Sequence, residues 1–366
     1  MSESLEPARL VPPGRILERE LEARDWTQRD LAAVMGRPPQ AINEIIRGTK
    51  QITPETAIEL GNALGTSAEF WTELEYQYRL GLARKERRGD DDQITRRSRL
   101  YSLAPVNELI KRGWLRATES LDELERDLCR FLKITSIEQT PLLEGPFRAS
   151  GERGPEYGAT VAWVRRVEQL ASLQEVAPFD IERLQRAIPD LRALAKEPEQ
   201  IAKVPKLLRE SGVRFVHVRH LPRTYIDGVM CIVEGQPVIG LSLRYDRIDS
   251  FWFTLMHECA HLVLGHECPP VDNLEDKEAL SGGIEAEADQ QARRWLLDQP
   301  SLQHWVKRTN PYFGRAAIER FADNQELHPG VVLGQLMFDG TVTYKHLRML
   351  LVRVSPFLSD WMEPTL

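Results

Sequence analysis

Cysteine is scarce in this sequence, and its few thiols do not form a recognisable metal or disulfide pattern. The four cysteines among 366 residues, Cys129, Cys231, Cys259 and Cys268, make no CxxC pair. A chain held together by disulfides carries more cysteines at closer spacing, so we expect reduced thiols, as in a cytoplasmic protein. We interpret Cys259 and Cys268 as ordinary core and loop residues rather than extra metal ligands.

Long apolar runs are also missing. No stretch approaches the roughly 18 apolar residues that a membrane-spanning helix needs. The first ten residues, MSESLEPARL, have neither the basic nor the apolar part of a signal peptide. The sequence therefore predicts a cytoplasmic protein without a membrane partner.

Neither sign of charge dominates the chain. It has 55 acidic and 48 basic side chains, which give a formal net charge of -7. This balance provides no overall attraction to nucleic acid, so any contact with DNA requires a local face. Hydrophobic residues make up 42% of the chain, which is enough to build cores in two or three domains of roughly 100–200 residues each.

A metal-binding pattern is present in the second half of the chain. Residues 257–266 read HECAHLVLGH and contain HExxH, with His257, Glu258 and His261. Positions i and i+4 share one face of a helix, so both imidazoles can bind one Zn²⁺. Glu258 lies one residue further round the helix and can act as general base on a water in the open coordination position. The pattern is typical of a hydrolase.

The residues around this pattern predict the helix that carries it. Asp249 or Ser250 can cap its N-terminus, and Gly265 can end it. Two unrelated histidines on a surface helix are the alternative, and the neighbouring Phe251 and Trp252 argue against that alternative. The apolar side chains that recur at helical spacing are Trp252, Leu255, Met256, Cys259, Leu262 and Val263.

A catalytic zinc site needs a third protein ligand, which should follow on a second helix. In the segment IEAEADQQARRWLL, Glu285 and Asp289 stand at i and i+4. Glu285 can bind the metal, while Asp289 can hold a ligand histidine by its second nitrogen. Glu287 is the competing ligand; we prefer Glu285 because Asp289 then lies on the same face. The packing stripe of this helix is Ala288, Ala292, Trp295 and Leu296.

The expected cofactor is Zn²⁺, although two histidines and a glutamate also accept Mn²⁺ or another divalent ion. Just before the motif, residues 213–218, 228–233 and 237–242 read as short strands. They predict a small antiparallel sheet whose edge strand can pair with an extended peptide. With helices elsewhere, the expected fold class is mainly α with this small sheet, an α+β fold.

Residues 14–80 predict a bundle that contains a helix-turn-helix. Thr27 caps a helix over TQRDLAAVMG, Gly36 makes the turn, and Pro39 begins a third helix over PQAINEIIRG. A helical bundle with a solvated polar face is the plain alternative. We expect base-reading or phosphate-contacting roles in a DNA major groove for Thr27, Gln28, Arg37, Gln40, Asn43, Arg47 and Lys50.

This segment resembles the XRE family of helix-turn-helix regulators, and most closely its HigA-like antitoxin branch. The residues that carry the resemblance are PQAINEIIRG, followed by ITPETAIELGNALG and a Phe-Trp pair. The resemblance implies sequence-specific binding to a double-stranded DNA operator as a homodimer. It covers about a fifth of the chain.

The rest of the chain divides into a charged run, a helical middle region and a tail. Trp114, Phe131 and Trp163 are expected in the core of the middle region, and His328 is expected either to stabilise a tetrahedral intermediate or to cap a helix. The predicted organisation is a helix-turn-helix domain at 1–83, a charged linker at 84–99, a helical region at 100–211, a metallopeptidase domain at 212–345 and a C-terminal segment at 346–366.

The region from residue 212 to about 344 is similar to the ImmA/IrrE family of cytoplasmic zinc metallopeptidases. The similar segments are GVRFVHV, PVIGLSL, FWFTLMHECAHLVLGH, IEAEADQQARRWLL and LHPGVVLGQL, in the family's order. The resemblance implies that His257, His261 and Glu285 bind the metal and that Glu258 is the general base.

Together these patterns predict a DNA-binding regulator carrying a zinc-dependent peptidase that cleaves a partner regulatory protein or a toxin. An alternative is a HigA-like antitoxin or repressor whose metal domain senses a signal or binds a toxin without proteolysis. In a third interpretation, the N-terminal domain of a metallopeptidase serves only to dock a protein.

Overall fold

The computed structural model describes residues 10–86, 88–143, 155–224, 226–266 and 277–359. The chain forms two compact units, Met1–Thr95 and Arg96–Leu366. The expected fold class is confirmed, since helices predominate and one small sheet is present. No helix among the described residues is long and apolar enough to cross a membrane.

The first unit is a helical bundle around one apolar core. Leu17, Ile42 and Trp71 are among its fully buried side chains. The helices are α1 (Pro13–Glu22), α2 (Gln28–Met35), α3 (Pro39–Ile46), α4 (Pro54–Leu64) and α5 (Ala68–Glu86).

The helix-turn-helix of this unit follows from its capping residues. Thr27 caps α2 as predicted, because its hydroxyl accepts from the Asp30 N–H while the Asp30 carboxylate accepts from the Thr27 N–H. Gly36 ends α2 with φ +63, a left-handed conformation that glycine adopts without steric cost. Pro39 occupies the first turn of α3, where its missing N–H costs nothing.

The charged run that predicted a linker is helical where it is described. The run covers the end of α5 and part of α6 (Arg88–Leu103). The first unit ends at Thr95, within α6. Arginine, lysine and glutamate have high helix propensity, so a run of mixed charges does not by itself end a helix.

The second unit combines the predicted middle region with the predicted peptidase region. Trp114, Phe131 and Trp163 are buried, as predicted. Its further helices are α7 (Val106–Lys111), α8 (Leu121–Leu132), α9 (Pro155–Ala171), α10 (Ile181–Ala193), α11 (Val204–Glu210), α12 (Ile248–Val263), α13 (Lys277–Leu296), α14 (Gln299–Thr309), α15 (Arg315–Asn324) and α16 (Pro329–Phe338). Short 3-10 helices occur at Leu194–Lys196, Pro198–Lys203, Arg348–Leu350 and Ser355–Phe357.

The three predicted strands form, but their sheet is mixed rather than wholly antiparallel. The strands β1 (Arg214–His217), β2 (Gly228–Val233) and β3 (Gln236–Leu241) lie in the order β1-β3-β2. A two-residue turn joins β2 and β3 antiparallel, and β1 pairs with β3 in parallel. The connection between β1 and β2 is long enough to reach the far edge, and alternating apolar residues do not encode which neighbour a strand takes.

Both faces of this sheet are covered. On one face, Phe215 and Ile239 belong to the same apolar cluster as α12. On the other face, Val216 and Val238 belong to a cluster with α9. The sheet therefore joins helices from the predicted middle region and the predicted peptidase region in one compact unit.

The C-terminal segment is tied to the start of α12 by Asp246. The Asp246 carboxylate accepts hydrogen bonds from the N–H groups of Val354 and Ser355 at 2.9 and 2.8 Å, and from the Ser355 hydroxyl at 2.7 Å. It also pairs with Arg353 at 2.8 Å. The N–H of Ile248, the first residue of α12, donates to the Val352 carbonyl. The segment thereby holds the beginning of the helix that carries HExxH.

We predict that Asp246→Asn destabilises the larger unit by about 1 to 2 kcal/mol, because charge-assisted hydrogen bonds are lost. Partial burial raises the pKa of Asp246, but the bonds from Ser355, Arg353 and Val354 outweigh burial and hold that pKa below its ordinary value. The stabilisation is therefore present above the ordinary pKa and disappears as the pH falls through the lowered one.

Calorimetry of the full chain at neutral and acidic pH tests this. The exposed Asp323→Asn on α15 is the matched control and should unfold like the wild type. An unchanged unfolding temperature for Asp246→Asn at pH 7 would contradict the role of this carboxylate.

Candidate functional site

The HExxH helix is α12, which begins slightly earlier than its sequence suggests. Its N-terminal cap position is Arg247, so the prediction that Asp249 or Ser250 caps it is wrong. Asp249 lies in the first turn and pairs with Arg247 at 2.6 Å. A carboxylate in the first turn still stabilises a helix through the positive end of its dipole.

The structure brings His257, His261 and Glu285 together. Their ligand atoms all lie within 4.8 Å of one another. The two histidine Nε2 atoms are 3.0 Å apart, and the Glu285 carboxylate oxygens lie 3.2 Å from that of His257 and 3.4 Å from that of His261. Two imidazole nitrogens and a carboxylate around one point are a donor set that suits Zn²⁺.

Small residues on α13 allow this convergence. Ala288 and Ala292, one turn apart, are fully buried, and α13 packs against α12. Because these side chains are short, the two helices approach closely, and Glu285 and Asp289 reach the histidines. The predicted packing stripe is confirmed for Ala288, Ala292 and Leu296, with Trp295 partly buried.

Asp289 lies behind His257. Its carboxylate oxygen is 2.8 Å from His257 Nδ1, which leaves Nε2 directed at the donor set. This is the arrangement expected when a carboxylate orients a ligand histidine. Glu287, the competing third ligand, lies elsewhere: its exposed carboxylate is 3.4 Å from His266 Nε2.

The donor set requires positive charge. Two Nε2 lone pairs that face each other beside a carboxylate repel one another unless a proton or a metal ion lies among them. Burial by itself lowers the pKa of His257, but the carboxylates of Asp289, Glu285 and Glu258 outweigh burial and raise the pKa to about 9. The residues present therefore fit a bound divalent cation.

Glu258 is buried, its charge acts on the neighbouring His257, and a glycine makes room for its carboxylate. A side-chain carbon added at Gly228, the first residue of β2, would lie 2.6 Å from Glu258 Oε1. Glu258 is 6% exposed. Sequence reasoning missed Gly228, because nothing local marks a strand glycine as the neighbour of a distant carboxylate.

A cleft of about 1160 Å³ opens beside the donor set. Its lining includes the β2 residues Met230 to Glu234, together with His261 and His266. Lys133 and Arg165 also line the cleft, and both pair with Glu168. Among the described residues, β2 pairs with β3 alone, so β2 is an edge strand, and its residues from Met230 onward border the cleft.

Of three other candidate residues, the structure describes two, Cys259 and His328. Cys259 is fully buried, and burial raises the pKa of its thiol, so it is a core residue, as expected. Cys268 lies outside the described residues. His328 caps α16 with Nδ1 accepting from the Gly330 N–H at 3.0 Å, which is one of its two expected roles. Its catalytic role stays a prediction.

The candidate DNA-reading residues lie on and around α2 and α3. Gln40, Arg47, Lys50 and Thr27 are exposed, while Gln28 and Asn43 are partly exposed. Gln40 donates to Glu44 at 3.1 Å.

Arg37 is held within the first unit. It pairs with Glu59 of α4 at 2.5 Å, and its guanidinium makes a second contact with the same carboxylate at 3.0 Å. A paired arginine is less available to a phosphate, because the intramolecular bond must first break.

The sequence profile of the helix-turn-helix family matches residues 17–71. An uncharacterised HTH-type transcriptional regulator of Escherichia coli K12, YddM, is 30% identical over 73 residues, which span 20% of this chain and 78% of that protein. The chain belongs to the XRE-type helix-turn-helix family. The matching segment lies entirely within the first unit.

A second relative found by sequence agrees with this assignment. Virulence-associated protein I of Dichelobacter nodosus is 32% identical over 78 residues, which span 21% of this chain and 72% of that protein. Among solved structures, a HigA-family addiction module antidote protein from Coxiella burnetii is 32% identical and matches 23% of this chain and 92% of its own, with a TM-score of 0.23. A putative antidote protein of a plasmid maintenance system from Nostoc punctiforme is 30% identical. Its match covers 24% of this chain and 97% of that protein, with a TM-score of 0.23. The family assignment rests on the sequence matches.

We predict that His257 titrates with a pKa of about 9 in the metal-free protein and that Asp289→Asn lowers this pKa. A raised folded pKa means that the proton stabilises the metal-free fold fully below about pH 6.5, and that this contribution is lost as the pH rises through about 9. NMR titration in EDTA measures the pKa of His257 in the wild type and in Asp289→Asn, and the exposed Asp323→Asn is the control. If Asp289→Asn left the titration unchanged, Asp289 would not orient this histidine.

Proposed function

We propose that the chain is a DNA-binding transcriptional regulator whose larger unit is a zinc-dependent peptidase acting on a partner regulatory protein or a toxin. The observation that carries the peptidase proposal is the convergence of His257 Nε2, His261 Nε2 and Glu285 beside the buried Glu258. The family of the first unit and the exposed polar residues of α3 support the DNA-binding half.

In this proposal His257, His261 and Glu285 would hold Zn²⁺. When bound, the metal would supply a Lewis acid for the scissile carbonyl and would lower the pKa of water to about 7. Glu258 takes a proton from the attacking water and gives it to the leaving amine as the peptide C–N bond breaks. The products are a carboxylate and an amine.

The cleft suits an extended peptide. Along the outer edge of β2, backbone N–H and C=O groups can pair with a substrate strand, which holds the chain without selecting every side chain. His261 and the β2 residues line the same cleft, so a peptide bound there passes beside the donor set.

On the first unit, α3 enters the major groove of an operator, and two copies bind as a homodimer to paired half-sites. Gln40 lies in the first turn of α3, where recognition helices contact base edges, and Asn43 lies about one turn further along the helix. Lys50, beyond the helix, is placed to contact phosphate.

We predict that Glu258→Gln retains zinc and DNA binding while peptide hydrolysis falls by about 10²- to 10⁴-fold, because it removes the base and no ligand. His257→Ala should lose the metal as well. Regulation is measured with a reporter driven by the promoter upstream of the chain's own gene. Glu258→Gln and His257→Ala are compared at matched protein levels, and the exposed Glu182→Gln is the control.

If regulation depends on cleavage, Glu258→Gln and His257→Ala both fail to induce the reporter, and Glu182→Gln induces it as the wild type does. Normal induction by Glu258→Gln together with failure of His257→Ala would replace the peptidase with a metal-dependent sensor that does not cut.

We predict that Asn43→Ala relaxes operator specificity by about 1 to 3 kcal/mol, because a bidentate contact to a base is lost. Lys50→Ala should instead weaken binding to all sequences alike and reduce the salt slope by about 1. Fluorescence anisotropy with operator and scrambled duplexes over a range of salt concentrations measures both. Arg15→Ala on α1 is the control. Equal changes of the salt slope for Asn43→Ala and Lys50→Ala would show that α3 is not the recognition helix.

A further inference from the structure

The end of α12 folds back on itself through a glycine cap. The last residues of the helix are followed by Leu264 and Gly265, and Gly265 has φ +67. The His266 N–H donates to the His261 carbonyl at 3.0 Å, and the Gly265 N–H donates to the Leu262 carbonyl at 3.3 Å. This hydrogen-bond pair is a Schellman motif, which brings the residue two beyond the cap position back over the last turn.

The motif places the His266 side chain against a proposed metal ligand. His266 Nδ1 lies 2.9 Å from His261 Nδ1. Its other nitrogen, Nε2, lies 3.4 Å from the Glu287 carboxylate. The imidazole is 8% exposed, so water contributes little to its surroundings. Three side chains thus form a row: His261, His266 and Glu287.

The chemistry of imidazole gives this row a direction. When the Nε2 lone pair of a neutral His261 faces a cation, its one proton is on Nδ1. That proton can be donated to His266 Nδ1, which must then carry its own proton on Nε2. The Nε2–H of His266 is in turn directed at the Glu287 carboxylate. In this arrangement each N–H in the row faces an acceptor: the His261 Nδ1–H faces His266 Nδ1, and the His266 Nε2–H faces the Glu287 carboxylate.

We propose that His266, held by Glu287, is a positioning residue that fixes the tautomer and ring orientation of His261. The inference rests on the proposed metal centre and adds the support of its second histidine. His257 is supported directly by the carboxylate of Asp289, whereas His261 is supported by a carboxylate acting through a second imidazole. The spacing HExxHxxxxH with Gly265 as the fourth residue after His261 is the sequence signal for this contact.

The helix cap does not explain a histidine at this position. The Schellman hydrogen bonds are made by backbone groups, and the side chain at this position is commonly apolar. A leucine at 266 therefore preserves the cap, while it removes the acceptor for His261 Nδ1. This difference separates a positioning role from a purely structural one.

The test is the affinity of the full chain for Zn²⁺ alone, measured by competition with a chromophoric chelator. We expect His266→Leu to weaken binding about 10- to 100-fold, which is the usual effect of losing a partner that orients a ligand. His266→Asn, whose side-chain oxygen can accept from His261 Nδ1, should recover most of the loss. Glu287→Gln should have a smaller effect because its carboxylate is exposed. The exposed His304→Leu on α14 is the matched control.

Thermal unfolding of the metal-free proteins in EDTA should be the same for His266→Leu and the wild type, which shows that the cap is intact. Nitrogen-15 NMR of the zinc-loaded wild type should show the His261 proton on Nδ1, hydrogen-bonded. Wild-type zinc affinity in His266→Leu, within about twofold, would overturn the inference, as would a His261 proton on Nε2.

The two proposals fail in different ways. If the wild type binds Zn²⁺ and Glu285→Gln does not, while His266→Leu binds normally, the metal centre stands and the positioning role is wrong. If the wild type binds no Zn²⁺, the metal centre is wrong, and the role of His266 is wrong with it.

Discussion

The close packing of α12 against α13 is the constraint on which the candidate site depends. The two histidines stand on α12 and the two carboxylates that meet them stand on α13, so the site exists only where these helices touch. Ala288 and Ala292 make that approach possible, because larger side chains there would push Glu285 and Asp289 away from the imidazoles. The apolar core around α12 resists such a shift, since close-packed interiors do not accommodate added volume without strain.

The sheet completes the site from the other side. Its inner face packs against α12, its other face packs against α9, and β2 begins beside Glu258 at a glycine. The same strand forms the wall of the cleft that contains His261 and His266. The sheet thus contacts Glu258 of α12, the general base of the proposed reaction, and also carries the edge on which a peptide would lie.

Much of the fold and of the candidate site could be predicted because the signals are local. The Thr27 cap, the Gly36 turn and the apolar stripe of α13 follow from capping chemistry and helical spacing, and the structure contains all three. The parallel pairing of β1, the ion pair between Arg37 and Glu59, and the anchoring of the C-terminal segment by Asp246 were not predicted. Each joins residues distant in the chain, and neither periodicity nor composition reports such a partner.

The sequence by itself determined which residues share a helical face: His257 with His261, and Glu285 with Asp289, since that follows from 3.6 residues per turn. It also determined the family of the first unit, whose turns and caps are local. Only the tertiary structure decided that Glu285 rather than Glu287 meets the two histidines, that Gly228 makes room for Glu258, and that His266 turns back onto His261. These contacts depend on how closely two elements approach and at what rotation, and the packing of the whole unit sets both.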